Sequence, residues 1–135
     1  MSPDLHALLF YLLLSVILCF VQMLIAATGA NTQVGLPTLA GNREGLPDMV
    51  GWAGRARRAH LNMIENLVLF AALVLIAAVA GKANATTAMG TMIFFWARLA
   101  YAVIYLIGIP WLRTLAWFVS VIGMAMIAWV LLQAM

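Results

Sequence analysis

Charged residues and cysteine are scarce in this chain. Only 8% of its 135 residues are Asp, Glu, Lys or Arg, far below the charged content of an ordinary soluble domain, whereas 67% are hydrophobic. The composition therefore indicates a protein of the lipid bilayer. The single cysteine, Cys19, permits no disulfide within the chain and excludes membrane enzymes that oxidise thiols through paired cysteines. We interpret Cys19, which lies in an apolar run, as a small packing residue.

The beginning of the chain lacks a basic segment and a small-residue cleavage site. We therefore expect the first apolar run to be a retained helix and not a removed signal peptide. No metal site is expected either. The remaining sequence divides into four apolar segments at about residues 5–27, 49–80, 86–107 and 112–134, with a long loop at 28–48.

Three of the segments have about 20 residues each, enough to cross ~30 Å of hydrocarbon, and the segment at 49–80 is longer. Because every backbone polar group must be paired inside lipid, we expect all four segments to be α-helices. The prediction is an all-α membrane protein, with a single domain over 1–135 that forms a four-transmembrane-helix bundle. The intervening loop is rich in Gly, Pro, Asn and Thr, which favour turns, and Asp48 is a plausible N-cap for the second span.

Basic residues are distributed unevenly among the connections. Five arginines lie around the first and third connections, whereas the second has only Lys82: Arg43, Arg55, Arg57, Arg58 and Arg113. Lys and Arg near helix ends favour the cytoplasmic side, so these two connections should face the cytoplasm and both termini should lie outside. This anchoring accounts for the net charge of +3, which gives no reason to invoke nucleic acid.

The second span begins with an unusual polar stretch, GRARRAHLNMIENLVLF at residues 54–70. At 100° per residue its polar side chains fall within an arc of about 100°, with Arg57 and His60 outside it. They form a stripe on one helix face: Arg55, Arg58, Asn62, Glu65 and Asn66. Helical rise places Glu65 several ångströms inside the membrane, where an ionisable group normally faces a partner or a cavity.

The third span supplies a candidate partner for Glu65. Arg98, Tyr101 and Tyr105 are spaced i, i+3 and i+7, which puts a guanidinium and two phenols on one face. We predict an Arg98–Glu65 pair, with both side chains turned inward toward one wet pocket that opens to the cytoplasm. Cationic, amide and phenolic groups at that position suit a site where a water-soluble anion from the cytoplasm meets a lipophilic molecule from the bilayer.

Two other interpretations remain open. The polar stripe also suits a non-catalytic membrane module, in which it binds an anionic lipid headgroup or only stabilises an oligomer. A small transporter is the third possibility. Four-helix multidrug exporters of this size carry an essential carboxylate in the first helix, whereas here that helix has no acidic residue beyond Asp4.

The stretch RARRAHLNMIENLVLF resembles the signature of the MAPEG family, the membrane-associated proteins in eicosanoid and glutathione metabolism. The family pattern is Arg-x-x-Arg-Ala-His/Gln-x-Asn-x-x-Glu followed by an apolar run. The segment ARLAYAVIYL is similar to the family's Arg-x-x-Tyr-x-x-x-Tyr in the third helix. Several members carry a basic residue at the end of the first helix, which IAATGANTQ lacks, and some place Tyr where Asn66 stands here.

This resemblance implies a homotrimer that binds glutathione as co-substrate between subunits near the cytoplasmic face. It also implies a lipophilic second substrate, either an electrophile that is conjugated to the thiolate or a hydroperoxide that is reduced. The thiolate would be stabilised by Arg113 as the catalytic residue. The implied glutathione-binding residues are Arg58, His60, Asn62 and Glu65 of the second span and Arg98, Tyr101 and Tyr105 of the third.

Overall fold

The computed structural model describes all 135 residues as an all-α fold without strands. Five helices follow one another along the chain: α1 (Pro3–Val34), α2 (Leu36–Ala40), α3 (Gly51–Val79), α4 (Ala85–Ile107) and α5 (Pro110–Ala134). The four longer helices are each long and apolar enough to cross a membrane. The predicted fold class, a four-transmembrane-helix bundle, is confirmed, and the chain is an integral, multi-pass membrane protein.

Helix α1 extends beyond the predicted segment 5–27 at both ends. It begins at Pro3, where the Ser2 hydroxyl accepts a hydrogen bond from the Leu5 N–H over 3.1 Å and so caps the first turn. At the other end, the hydroxyls of Thr28 and Thr32 donate to carbonyls of the preceding turn over 2.8 and 2.7 Å. These polar residues are thus satisfied within the helix, which continues to Val34.

The beginning of α3 is held by α1. The Gln33 side chain donates to the Val50 carbonyl over 2.6 Å and accepts from the Val50 N–H over 3.0 Å. Val50 occupies the N-cap position without any side-chain cap, so the prediction of Asp48 as the cap was wrong. The reason is that the Gln33 amide already engages the backbone at the N-cap, and Gly51 at φ 61° turns the chain into the helix.

Helices α4 and α5 approach each other through their backbones. A Cβ added at Gly90 would lie 2.6 Å from the Gly123 carbonyl oxygen, and a Cβ at Gly123 would lie 2.6 Å from the Gly90 carbonyl oxygen. Small residues allow such close helix packing in membranes, where the van der Waals contacts between helices replace the hydrophobic driving force. The pair therefore fixes how α5 is placed against α4.

The bundle has two different ends. At the end that contains the termini the core is apolar, with Phe70 and Phe94 stacked at 3.8 Å between ring centroids and Leu8 and Ile127 fully buried. At the opposite end, Ala59 and Ala116 pack with two buried tyrosines, Tyr101 and Tyr105. That second end also carries the α1–α3 and α4–α5 connections, and it is where the polar stripe lies.

Candidate functional site

Helix α3 presents its polar stripe beside its buried face. Residues that pack inward recur every three or four positions, among them Ala56, Ala59 and Met63. Asn62 is half-buried at the margin of this face, whereas Arg58 and Glu65 are exposed on the surface of the single chain. The stripe therefore runs from the interior of the bundle to its outer surface.

Helix α4 buries the three polar residues that its spacing aligns. Arg98 is only 1% exposed, and Tyr101 and Tyr105 are also buried. The Nη2 of Arg98 donates a hydrogen bond of 2.9 Å to Oδ1 of Asn62, and its guanidinium carbon lies 4.1 Å from the centre of the Tyr101 ring. A cation over an aromatic face is electrostatically favourable, so Arg98 ties α4 to α3 through an amide and a ring.

Asn62 is itself oriented by the next turn of α3. The Nδ2 of Asn66 donates to the backbone carbonyl of Asn62 over 2.8 Å and to its Oδ1 over 3.3 Å. The Asn62 side-chain oxygen thus accepts from both Asn66 and Arg98. Because this oxygen is engaged on two sides, the amide nitrogen is the hydrogen-bonding group that the Asn62 side chain has left.

The predicted Arg98–Glu65 pair does not form. Arg98 turns inward as expected, but its polar partner is Asn62, and Glu65 points to the surface of the chain. The reason is geometric, since Asn62 is half-buried at the margin of the packed face of α3, whereas Glu65 is exposed. The Nε and Nη1 groups of Arg98 have no hydrogen-bond partner in the chain. A buried guanidinium with unpaired N–H groups raises the free energy of the fold. Its positive charge favours an anion nearby.

Tyr105 connects two further arginines. Its hydroxyl accepts a hydrogen bond of 3.2 Å from the Nε of Arg58 on α3. The guanidinium of Arg113, on α5, lies over the same ring at 4.3 Å from its centre. Tyr101 meets Tyr105 edge to face at 5.6 Å. Three arginines from three helices are therefore organised around two adjacent phenol rings.

A small polar cavity lies between α3, α4 and α5, with a volume of about 180 Å³. Three of its five lining residues were predicted as site residues, namely Asn62, Tyr101 and Arg113. The other two, Thr114 and Trp117, were missed by sequence reasoning. The available signal for Trp117 was its spacing from Arg113, since residues at i and i+4 are neighbours on a helix surface.

His60 lies apart from this cavity. It is half-buried, makes no side-chain hydrogen bond, and stands two positions from both Arg58 and Asn62, which places it about 200° around the helix. The structure therefore brings together Arg58, Asn62, Arg98, Tyr101, Tyr105 and Arg113, and leaves Glu65 and His60 outside the group.

The assembled group can bind an anion. Arg58 and Arg113 supply guanidinium donors at any cellular pH, and the only nearby acid, Glu65, is exposed on the surface of the chain. The cavity is lined by the Arg113 cation and by three polar residues: Asn62, Tyr101 and Thr114. Such a site can hold a carboxylate and can stabilise a thiolate or another small nucleophilic anion.

The sequence profile of the MAPEG family matches residues 7–133, nearly the whole chain. No curated protein and no solved structure is a significant match. Members of this family are membrane proteins that generally use glutathione and typically form trimers. Family membership therefore supports a glutathione-related role in the membrane in general. The four membrane-spanning helices, the arginine signature at the start of α3 and this profile match together establish that the chain belongs to the MAPEG family.

Proposed function

We propose that this protein is a glutathione-dependent transferase or peroxidase that acts on lipophilic electrophiles or lipid hydroperoxides at the cytoplasmic face of the membrane. The observation that carries the proposal is the cavity shared by Asn62, Tyr101 and Arg113. It combines a cation and neutral hydrogen-bonding groups in a bundle that is otherwise apolar. A water-soluble thiol and a membrane-dissolved molecule can meet at such a boundary.

Glutathione offers two carboxylates, one ammonium group, amides and a thiol. Arg58 is exposed and is held in place by the Tyr105 hydroxyl, so its fork is free to bind a carboxylate in a bidentate manner. Glu65 is the acceptor available for the ammonium group, about two turns after Arg58 on α3. Asn62 and Tyr101 then bind the peptide in the cavity, with the thiol directed to Arg113.

Arg98 acts differently in this proposal. Because it is 1% exposed, it does not reach a ligand at the mouth of the cavity. We assign it as a positioning residue that holds Asn62 through the 2.9 Å hydrogen bond and adds positive potential below the site. His60 matches the family signature but lies on another face of α3. We propose that it contacts a neighbouring subunit.

Arg113 is the proposed catalytic residue. It stabilises the thiolate after the thiol proton is lost to solvent, and the thiolate is the reactive form. In conjugation, the thiolate sulfur forms a bond to an electrophilic carbon. In a substitution the leaving group departs with its electron pair, and in an addition the resulting anion takes up a proton. In reduction, the thiolate attacks the outer hydroperoxide oxygen and breaks the O–O bond, which gives a sulfenic acid and an alkoxide that takes a proton from water to become the alcohol. A second glutathione thiol then attacks the sulfur of the sulfenic acid and releases water, so that two thiols and the hydroperoxide become one disulfide, an alcohol and water.

The surface position of Glu65 supports assembly into a homotrimer. A carboxylate inside the hydrocarbon does not face lipid without a partner, and in the single chain Glu65 is exposed. A neighbouring subunit that covers Arg58 and Glu65 would remove both from lipid and enclose the bound peptide. Native mass spectrometry of the detergent-solubilised protein tests the trimer. A monomer as the only species observed would contradict it.

Glutathione titration of the purified protein tests the function directly. The ultraviolet absorbance of the thiolate should rise on mixing, Arg113→Ala should lose that rise while still binding glutathione, and Arg58→Ala should lose binding. Arg57→Ala is the matched control, because Arg57 is exposed on another face of the same helix turn. A wild-type protein with no measurable affinity for glutathione in detergent or lipid would refute the proposal.

The second candidate is a non-catalytic membrane module. The observation that favours it is the burial of Arg98, whose contacts with Asn62 and Tyr101 join two helices without any ligand. In that case the exposed arginines bind an anionic lipid headgroup or stabilise the trimer. Anionic phospholipid would then raise the unfolding temperature of the protein, whereas glutathione would leave it unchanged.

A further inference from the structure

Arg55 is the one arginine of the polar stripe that the proposed active site does not use. It is half-buried near the beginning of α3, and it does not line the polar cavity. Its Nε donates a hydrogen bond of 3.0 Å to the backbone carbonyl of Leu106, in the last turn of α4. The two residues are 51 positions apart in the chain, so this contact is created by the packing of α3 against α4.

The Leu106 carbonyl needs a donor from outside α4. In a continuous helix it would accept from the N–H four residues later, but that residue is Pro110, which has no N–H. Helix α4 also has no basic residue in its last turn. A cation is favourable there, because the unpaired carbonyls at the end of a helix carry partial negative charge. Arg55 therefore supplies both the donor and the positive charge that the end of α4 lacks.

The side chain of Arg55 also packs against the turn between α4 and α5. Gly108 ends α4 in the left-handed conformation, at φ 93°. A Cβ added to Gly108 would lie 3.5 Å from both Cδ and Nε of Arg55. Helix α5 begins two residues later at Pro110, and no side chain caps its first turn. Arg55 thus holds the turn from the side of α3.

The position of Arg113 depends on this turn. Arg113 lies in the first turn of α5, where its backbone N–H donates to the Ile109 carbonyl over 3.3 Å. Its guanidinium reaches back across the turn to the Tyr105 ring in the last turn of α4, at 4.3 Å from the ring centre. A change in the turn therefore moves the Arg113 guanidinium relative to Tyr105 and the polar cavity.

We propose that Arg55 is a positioning residue, which caps α4, fixes the α4–α5 turn and so holds Arg113 where the glutathione thiolate forms. This inference rests on the catalytic role proposed for Arg113. Arg55 does not touch glutathione in this arrangement. Its loss should therefore lower the rate of the reaction much more than the affinity for glutathione.

Kinetics of the full-length protein in detergent test this role. Arg55→Leu should slow conjugation of a model electrophile at saturating glutathione by about tenfold, because a small misplacement of a catalytic group is enough for such a loss. The affinity for glutathione should stay within about twofold of wild type, equivalent to less than ~0.5 kcal/mol. Arg55→Lys should recover part of the rate, since it keeps a donor and a positive charge at the end of α4.

The pH dependence of the thiolate absorbance gives a second readout. In Arg55→Leu the pKa of the bound glutathione thiol should rise by about one unit, because a displaced Arg113 stabilises the thiolate less. Arg57→Leu is the matched control and should change neither the rate nor this pKa. Arg57 is exposed and lies about 200° around α3 from Arg55.

A double variant tests whether Arg55 acts through Arg113. In the Arg113→Ala background, Arg55→Leu should cause no further loss of rate. Additive losses would overturn the proposal, and so would a wild-type rate in Arg55→Leu or a loss of affinity as large as the loss of rate. If Arg55→Leu does not fold, Gly108→Ala disturbs the same turn, because φ 93° strains a residue with a Cβ. It should separate rate from affinity in the same way.

Hydrogen exchange without glutathione distinguishes this proposal from the proposed function. The backbone amides of Gly108, Ile109 and Arg113 are hydrogen-bonded at the turn, and their exchange should be faster in Arg55→Leu than in Arg57→Leu. Unchanged exchange would overturn the role of Arg55 and leave the proposed function standing. Faster exchange in a protein that binds no glutathione would refute the proposed function, while the hold of Arg55 on the turn would stand.

Discussion

Arg98 and Asn62 are joined by a 2.9 Å hydrogen bond from Nη2 to Oδ1, which links the third membrane span to the second. Arg98 is only 1% exposed, and its hydrogen-bond partner is not a carboxylate. An uncharged amide is thus the polar partner of a buried guanidinium. This pair determines how the two helices carrying the proposed glutathione site are held relative to each other.

The first prediction concerns this pair. Asn62→Leu should lower the free energy of unfolding by about 2–3 kcal/mol, because it leaves a buried guanidinium with no partner. Arg98→Met should cost less, since it removes the charge together with its unsatisfied donors. The double variant should be close to Arg98→Met alone. Thermal unfolding in detergent, followed by circular dichroism without glutathione, measures all three. Additive effects of the two single variants would contradict the pairing.

The second prediction concerns Arg113. Because Arg113 is half-buried and lies over the Tyr105 ring, Arg113→Ala should leave the fold intact. Loss of the group that stabilises the thiolate should slow conjugation of a model electrophile by about 100-fold. Arg113→Lys should recover part of the rate, since it keeps the charge but not the planar fork. Equal rates for Arg113→Ala and wild type would remove Arg113 from the reaction.

The third prediction separates the two contacts of Tyr105. Tyr105→Phe removes the hydroxyl that accepts from Arg58 but keeps the ring beneath Arg113. We expect about fivefold weaker glutathione binding, equivalent to ~1 kcal/mol, with little change in the rate at saturation. Tyr105→Ala should reduce both affinity and rate. Isothermal titration and steady-state kinetics distinguish these outcomes, and a rate loss in Tyr105→Phe without an affinity loss would be inconsistent with them.

The fourth prediction addresses the crossing of α4 and α5. Gly90→Ala places a Cβ 2.6 Å from the Gly123 carbonyl oxygen, so the helices have to separate. We expect a loss of about 1–3 kcal/mol in unfolding free energy, as for other overpacked sites. Gly41→Ala is the control, because its added Cβ would meet only ordinary contacts at 3.6 Å. The comparison uses thermal unfolding in one detergent, and equal unfolding temperatures would argue against a close crossing.

Much of the architecture follows from composition. Four apolar segments with sparse charge were sufficient to predict the spans, and the spacing of Arg98, Tyr101 and Tyr105 correctly indicated one shared face. The extent of α1 was not predictable from turn-forming residues, because Thr28 and Thr32 find partners within the helix. A loop composition therefore does not end a helix when its side chains can be satisfied locally.

The pairing across helices was the part that sequence could not provide. Periodicity places Asn62 and Glu65 on one face of α3, but it does not tell which of them lies nearer to α4. That choice depends on how the helices rotate against each other, which is set by packing at positions such as Ala59 and Tyr101. For the same reason the cavity that Trp117 lines together with Asn62 and Arg113 could not be located before the bundle was assembled.

The two hydrogen bonds between Gln33 and Val50 hold together the ends of the segment that connects α1 to α3. The length of this segment therefore has little effect on the spans. Because the amide closes the segment at its base, lengthening it would cost only about 0.6 kcal/mol for each doubling. Relatives could thus gain or lose residues between these two positions without altering where the second span enters the membrane. The sequence of that segment can then change without moving the buried residues of α3.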